Sequence, residues 1–190
     1  MKKIISEITR LGKLHIQLIE AQNIATVVSQ IKSNIKPITL DNNYLFKNLT
    51  TGKGLYVFFA KFPFKNYEEL LEFGYKWGFL QDKNAPANCP RFHKGNSKLK
   101  ITKKNLHENE YISFYLGKSE NIQKRVLEHI DTGLDKTVYA LKLKARSNIL
   151  TDIQFKLGYV EFEINDNSYF CVELLEKEVR KIYRPIVGKQ

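Results

Sequence analysis

Cysteine is scarce in this chain, with Cys89 and Cys171 the two copies and far apart. Two thiols in a cytosolic protein are usually free, so a disulfide scaffold is not expected. Cys89-Pro90-Arg91-Phe92-His93 sets a thiol near an imidazole, but a structural zinc site takes four ligands and no second pair accompanies this one. The segment therefore reads as a loop thiol and a surface histidine. Long apolar runs are also missing. Nothing approaches the roughly 18 residues of a membrane span. Glu7, Arg10 and Lys13 interrupt the stretch after Met1-Lys2-Lys3 before a signal-peptide core can form. No membrane partner and a cytoplasmic location are the expectations. Internal repeats and low-complexity tracts are absent. Acidic residues are outnumbered, 20 against 31 Lys and Arg, for a formal charge of +11. Such an excess favours a polyanionic partner, nucleic acid first, with plain solubility as the alternative.

What is present suffices for one domain with embellishments: 190 residues, 43% hydrophobic and 27% charged. Apolar residues from Ile4 to Ile31 recur at helical spacing, with an interruption expected at Gly12 and a stop at Pro37. Tyr44-Leu45-Phe46 is a short apolar piece between turn-like segments. Gly54 to Ala60 is β-branched and aromatic and reads as a buried strand. Asn66 to Phe79 begins as a helix, and Asp82 to Ser97 is loop-like. Lys94, Lys98, Lys100, Lys103 and Lys104 make a basic run. Glu110 to Gly117 reads as a second strand, followed by a helix over 120–130 with Ser119 as N-cap. Val138 to Leu143 alternates as a third strand, and Tyr159 to Ile164 as a fourth. A last helix opens at Asp166 or Ser168 and runs to about Tyr183. The expected fold is α+β: a small, mostly antiparallel central sheet flanked by helices. Residues 1–50 form an N-terminal helical extension to a domain over 51–190, which carries an insertion at about 61–109.

Chemistry is suggested by two tripeptides. Gly54-Leu55-Tyr56 and Tyr115-Leu116-Gly117 each set a tyrosine near a glycine in a β-prone run. The helix after the second carries Arg125 and His129 one turn apart, on one face. Cleaving a phosphodiester needs an activated water, a charge clamp on the phosphorane and relief for the leaving oxygen. Arg125 can grip a phosphate oxygen with its planar fork. Tyr56 can serve as general base if cationic neighbours lower its pKa. Tyr115 or His129 can hydrogen-bond the attacking water or the phosphate. Glu176 is a hard oxygen ligand suited to Mg²⁺ or Mn²⁺, which keep several waters and need few carboxylates. Singly, each residue also has a plain structural role, Glu176 as the i, i+4 salt-bridge partner of Arg180.

In order along the chain, these residues resemble the GIY-YIG endonucleases. The two tripeptides stand where that family has its own. Gly117-Lys118-Ser119, Asn121-Ile122, Lys124-Arg125 and His129 resemble the segment that follows. The run from Glu176 through Val179 to Pro185 has the spacing of the family's metal-binding glutamate. The resemblance covers about residues 54–60 and 111–187. It implies a metal-dependent DNA endonuclease with Tyr56, Tyr115, Arg125, His129 and Glu176 as its site, Mg²⁺ or Mn²⁺ held by Glu176, and restriction as the first role to consider. There are two departures. An insertion of several dozen residues separates the motif tyrosines, which closure entropy tolerates, and Gly188 stands where the family often has asparagine. The other reading is a catalytically inactive nucleic-acid-binding protein that keeps the nuclease fold. In either reading Lys94, Lys98, Lys100, Lys103, Lys104 and Lys118 are candidate nucleic-acid contacts. Trp77 and nearby aromatics offer stacking surfaces, or else a packed subdomain. The N-terminal helical segment has three open roles: packing on the core, homodimer formation and cover for a DNA edge.

Overall fold

The computed structural model describes residues 2–40, 46, 48–64, 66–78, 86, 88–103, 110–163 and 169–188. Helices α1 (Lys2–Ile19) and α2 (Ala21–Ser33) open the chain, followed by the short strand β1 (Lys36–Ile38) and then β2 (Gly54–Lys61). Helices α3 (Tyr67–Trp77) and α4 (Lys94–Lys103) lie between β2 and β3 (Ile112–Ser119). Helix α5 (Ile122–Asp131), a 3-10 turn at Lys144–Ile149, strand β4 (Gln154–Glu161) and α6 (Phe170–Tyr183) complete the fold. The sheet is antiparallel in the order β1-β4-β2-β3, so the architecture is α+β as expected.

The sheet is covered on both faces. Leu55, Val57 and Phe59 of β2 point to one side, where they pack with Ile24 and Ile31 of α2 and Val172 and Val179 of α6. Tyr56, Phe58 and Ala60 point to the other, against α3, α5 and the 140s. This explains a strand buried through almost its whole length: alternation is lost when both faces are covered. A bulge interrupts the β2–β3 ladder, where Phe58 pairs with Tyr115 and Phe59 already pairs with Ser113. Phe114 is the extra residue, so Phe114 and Tyr115 both join the α5-side core.

Several boundaries differ from the sequence reading. The N-terminal helix breaks at Glu20, whose backbone is extended (φ −55°, ψ 134°), and Gly12 sits inside α1. Residues 36–38 are a sheet strand, and Phe46 and Leu49 enter the core, so the end of the supposed extension is integral to the domain. Tyr44 and Leu45 lie outside the described residues. The segment Val138–Leu143 is not a strand. Its N–H groups go elsewhere: Ala140 to the Asn88 carbonyl, Leu141 to the His129 ring and Leu143 to the His129 carbonyl. Lys142 adopts a left-handed φ of 57°, which breaks an extended run. The third long strand is instead β4, which begins five residues before the segment expected over 159–164 and pairs with both β1 and β2. Residues 164–168 lie outside the described residues, and α6 is described from Phe170. Asn121, not Ser119, caps α5, its side chain accepting the Lys124 N–H at 2.8 Å.

The segment between the two motif strands is part of the core. Phe73 and Trp77 of α3 pack on Phe114 of β3, and the Trp77 indole donates to the Pro90 carbonyl at 2.8 Å. The Arg146 guanidinium lies 4.0 Å from the centre of the Trp77 ring. Trp77 is fully buried, which removes it as a stacking surface. Lys94, Lys98, Lys100 and Lys103 of the basic run belong to α4.

Candidate active site

The site forms at the free edge of β3, the outer strand of the sheet. Antiparallel pairing sets Tyr56 of β2 opposite Gly117 of β3. The glycine is needed there, because a Cβ at position 117 would lie 2.4 Å from the Tyr56 hydroxyl. The bulge at Phe114 turns Tyr115 to the same side, and the rings of Tyr56 and Tyr115 come within 6.3 Å, centre to centre. Both rings are largely buried, yet both line a cleft of about 770 Å³.

From the strand side, α5 brings Arg125 and His129. Arg125 lines the cleft and is held by Glu128 at 2.6 Å and by the Tyr139 carbonyl. Its positive charge also acts on the Tyr56 phenol. His129 is fully buried behind Tyr56, with both ring nitrogens occupied. Its Nδ1 accepts the Leu141 N–H at 2.9 Å, so the neutral ring carries its proton on Nε2. That Nε2–H lies 2.8 Å from the Tyr56 oxygen and donates to it. His129 therefore orients Tyr56 and does not face a water or a phosphate, as its helical spacing from Arg125 had suggested.

From the opposite side, α6 crosses the β3 edge and presents Glu176 and Arg180 to the same cleft. They form an ion pair with little exposure, 13% for Arg180 and 17% for Glu176. Arg180 also donates to the Leu116 carbonyl of β3 at 2.9 Å. Farther along β3, Ser113 and Phe114 accept from Ile186 and Val187, so the C-terminal segment covers the rest of the edge. Gly188 then stands against Tyr115 at φ 113°, and a Cβ there would lie 3.0 Å from the ring.

Lys118 lines the cleft, 3.1 Å from Glu173 and over the Tyr169 ring. Lys94 and Lys98 are exposed on α4. Lys100 and Lys103 belong to the same helix, and Lys104 lies outside the described residues. Among the cleft residues not picked out as site residues from the sequence are Asn96, Tyr139, Arg180 and Lys181. Arg180 and Lys181 had a signal, since they follow Glu176 and Lys177 by one helical turn. Asn96 and Tyr139 had none. The Asn96 amide donates to the Pro185 carbonyl at 2.9 Å, which ties α4 to the C-terminal segment.

Burial dominates the protonation of the two phenols. It drives Tyr56 well above the usual tyrosine value, and Tyr115 reinforces this while Arg125 opposes it. Tyr115 is also raised by burial, with Arg125 and Arg180 acting the other way. Both are neutral phenols near pH 7, contrary to the expectation of a Tyr56 activated by a lowered pKa. Burial and the Arg125 charge hold His129 well below the usual histidine range, so it stays neutral. His93 is half-buried, not a surface residue; its Nε2 donates to the Gly188 carbonyl, and burial lowers its pKa. Cys89 is buried and free, as is Cys171.

No protein-family model, curated protein or solved structure matches this chain. Among the described residues, no three His, Cys, Asp or Glu side chains gather closely enough to cage a metal, and no helix is long and apolar enough to cross a membrane. A Mg²⁺ or Mn²⁺ ion does not need a cage, because it keeps most of its waters and takes one or two carboxylates. Glu176, with Glu173 one turn away on the same cleft wall, meets that minimal requirement.

Proposed function

We propose that this protein is a metal-dependent endonuclease that hydrolyses phosphodiester bonds in DNA, with a cleft of the GIY-YIG type. One observation carries the reading. Two tyrosines several dozen residues apart in sequence lie on neighbouring strands and share one cleft with Arg125 and Glu176. Chance folding has no reason to gather this ordered set. The net charge of +11 suits a polyanionic substrate.

In this reading the scissile phosphate sits between the phenols and the α6 wall. Arg125 clamps a non-bridging oxygen and offsets the charge that grows on the phosphorane. Tyr56, oriented by the His129 N–H, holds the attacking water by its oxygen and hydroxyl. As a neutral phenol it positions that water and does not deprotonate it in the resting site. Tyr115 fixes the phosphate from the other side. Glu176 would hold the divalent ion, which would supply Lewis-acid polarisation of the phosphate and offset charge on the leaving oxygen. Lys118, Lys94 and Lys98 bind flanking phosphates.

The test is incubation of purified protein with plasmid DNA and Mg²⁺ or Mn²⁺. Wild type should give metal-dependent nicks or breaks, and Glu176→Ala and Tyr56→Phe should not. Identical products from all three would remove the assignment. The second reading, a binder that has lost cleavage, draws support from the ion pair that engages Glu176. It predicts salt-sensitive DNA binding with no products in any metal. Restriction, among the endonuclease roles, predicts cleavage at a defined sequence.

A further inference from the structure

Four cations of the cleft are each paired with an acid of the chain: Lys118 with Glu173, Arg125 with Glu128, Arg180 with Glu176, and Lys181 with Glu178. The third pair differs in two ways. It is the least exposed, at 13% and 17%, against 22% and 31% for Arg125 and Glu128 and 26% and 54% for Lys118 and Glu173. Solvent therefore screens it least. It also engages Glu176, the carboxylate on which a divalent ion would sit. Arg180 is anchored by its bond to the Leu116 carbonyl, one residue from Tyr115. It lines the cleft, and its charge is felt by Tyr115, Tyr139 and His93.

We propose that Arg180 is an exchangeable counter-ion built into the site. In the free protein its guanidinium neutralises Glu176. When a divalent cation takes that carboxylate, the guanidinium turns to a non-bridging oxygen of the bound phosphodiester, opposite Arg125. Charge balances at each stage: the acid passes from one cation to another, and the released guanidinium meets the phosphate anion. Two consequences follow. Metal binding by the free protein is weakened by Arg180, because a positive charge a few ångströms away competes for the same oxygen. DNA binding in the presence of metal is strengthened by it. Metal and substrate therefore bind cooperatively, each favouring the other through one side chain. The inference rests on the nuclease reading for its substrate, but its metal half can be measured without turnover.

The experiment measures Mn²⁺ binding to the metal-free full-length protein by electron paramagnetic resonance of the free ion. Wild type is compared with Arg180→Gln, Arg180→Lys and Glu176→Gln, after thermal melting has shown which variants are folded. Duplex DNA affinity is measured in parallel with Ca²⁺ and without metal. Arg180→Gln should bind Mn²⁺ at least about tenfold tighter than wild type, and Glu176→Gln should not bind. With Ca²⁺ present, Arg180→Gln should bind DNA about tenfold or more weakly than wild type. Without metal the difference should be smaller, because Arg180 is then held by Glu176 and only the uncovered carboxylate of the variant opposes the phosphate. If Arg180→Gln does not fold, Arg180→Lys carries the test: its localised charge lacks the fork, and it should show the same two shifts, smaller. Mn²⁺ affinity that ignores residue 180, or no Mn²⁺ binding by any variant, overturns the exchange. So does DNA binding with Ca²⁺ that is unchanged by Arg180→Gln. Both shifts in the Arg180 variants, together with a wild type that never cuts DNA, keep the exchange and remove the nuclease.

Discussion

Tyr56 and His129, 73 residues apart, are joined by a buried hydrogen bond of 2.8 Å in which the imidazole donates and the phenol accepts. The direction follows from the other end of the ring, where the Leu141 N–H occupies Nδ1. A loop backbone thus sets the tautomer of a histidine, and the histidine sets the orientation of a tyrosine. The Tyr56 hydroxyl proton is left to point at the cleft. Replacing Tyr56 with Phe strands the buried Nε2–H, which should cost about 1–3 kcal/mol of stability. Chemical denaturation of Tyr56→Phe against wild type reads this directly. The proposed function adds a loss of cleavage larger than the stability change explains.

The neutral, buried state of His129 makes stability depend on pH. Its folded pKa is depressed, so the unfolded chain takes up a proton that the folded one refuses. Stability is full above the unfolded value of about 6.5 and falls as pH drops below it, by up to about 1.4 kcal/mol per pH unit for each such histidine. His93 shifts in the same direction. Denaturation midpoints between pH 7.5 and 5.5 should therefore decline, and His129→Asn and His93→Asn should each flatten the slope. A midpoint independent of pH across this window would contradict the buried neutral ring.

Gly117 lies under the Tyr56 ring. Gly117→Ala places a methyl 2.4 Å from the hydroxyl, so the phenol or the strand must shift. Overpacking of this kind costs about 1–3 kcal/mol. Cleavage should fall further than for an alanine elsewhere on β3, because Tyr56 would lose its bond to His129. Tyrosine and histidine resonances of the variant would report the displacement.

Gly188 stands where an asparagine occurs in the family that the motifs resemble. Placing asparagine there should not help this chain. The backbone is at φ 113°, outside the left-handed region that asparagine tolerates, and a Cβ there would press on Tyr115. Gly188→Asn should lower stability by about 1–3 kcal/mol and leave any cleavage lower than wild type. A more active Gly188→Asn enzyme would overturn this account.

The exposed Lys94 and Lys98, one turn apart on α4, should act as phosphate contacts. Replacing either with Ala should weaken DNA binding on any sequence and reduce the slope of log affinity against log salt by about 1. Fluorescence anisotropy over a salt series checks this. Unchanged slopes in both variants would separate α4 from the DNA path.

Much of the site was legible because its signals are local. Arg125 and His129 share a face through helical spacing, and Glu176 and Arg180 pair by the same rule. The strand at 54–61 announced itself by β-branched and aromatic content. The strand expected at 138–143 failed for a non-local reason: Ala140, Leu141 and Leu143 are buried while Val138 and Tyr139 are exposed, and the N–H groups of the buried part answer to His129 and Asn88. Trp77 stayed open between stacking on nucleic acid and packing in a subdomain, since an aromatic among lysines looks alike whether it faces nucleic acid or, as here, Phe114.

By itself, the sequence determined the basic charge, the two long motif strands, the cores of α5 and α6, and which residues share a helix face. These follow from side-chain chemistry and from the period of a single element. Only the tertiary structure decided that Tyr56 lies over Gly117, that a bulge at Phe114 turns Tyr115 to the same side, and that α6 crosses the β3 edge. It also decided that His129 faces inward to the phenol and not outward to a substrate. Those outcomes depend on which N–H meets which carbonyl across long separations in the chain, and no local periodicity encodes that choice.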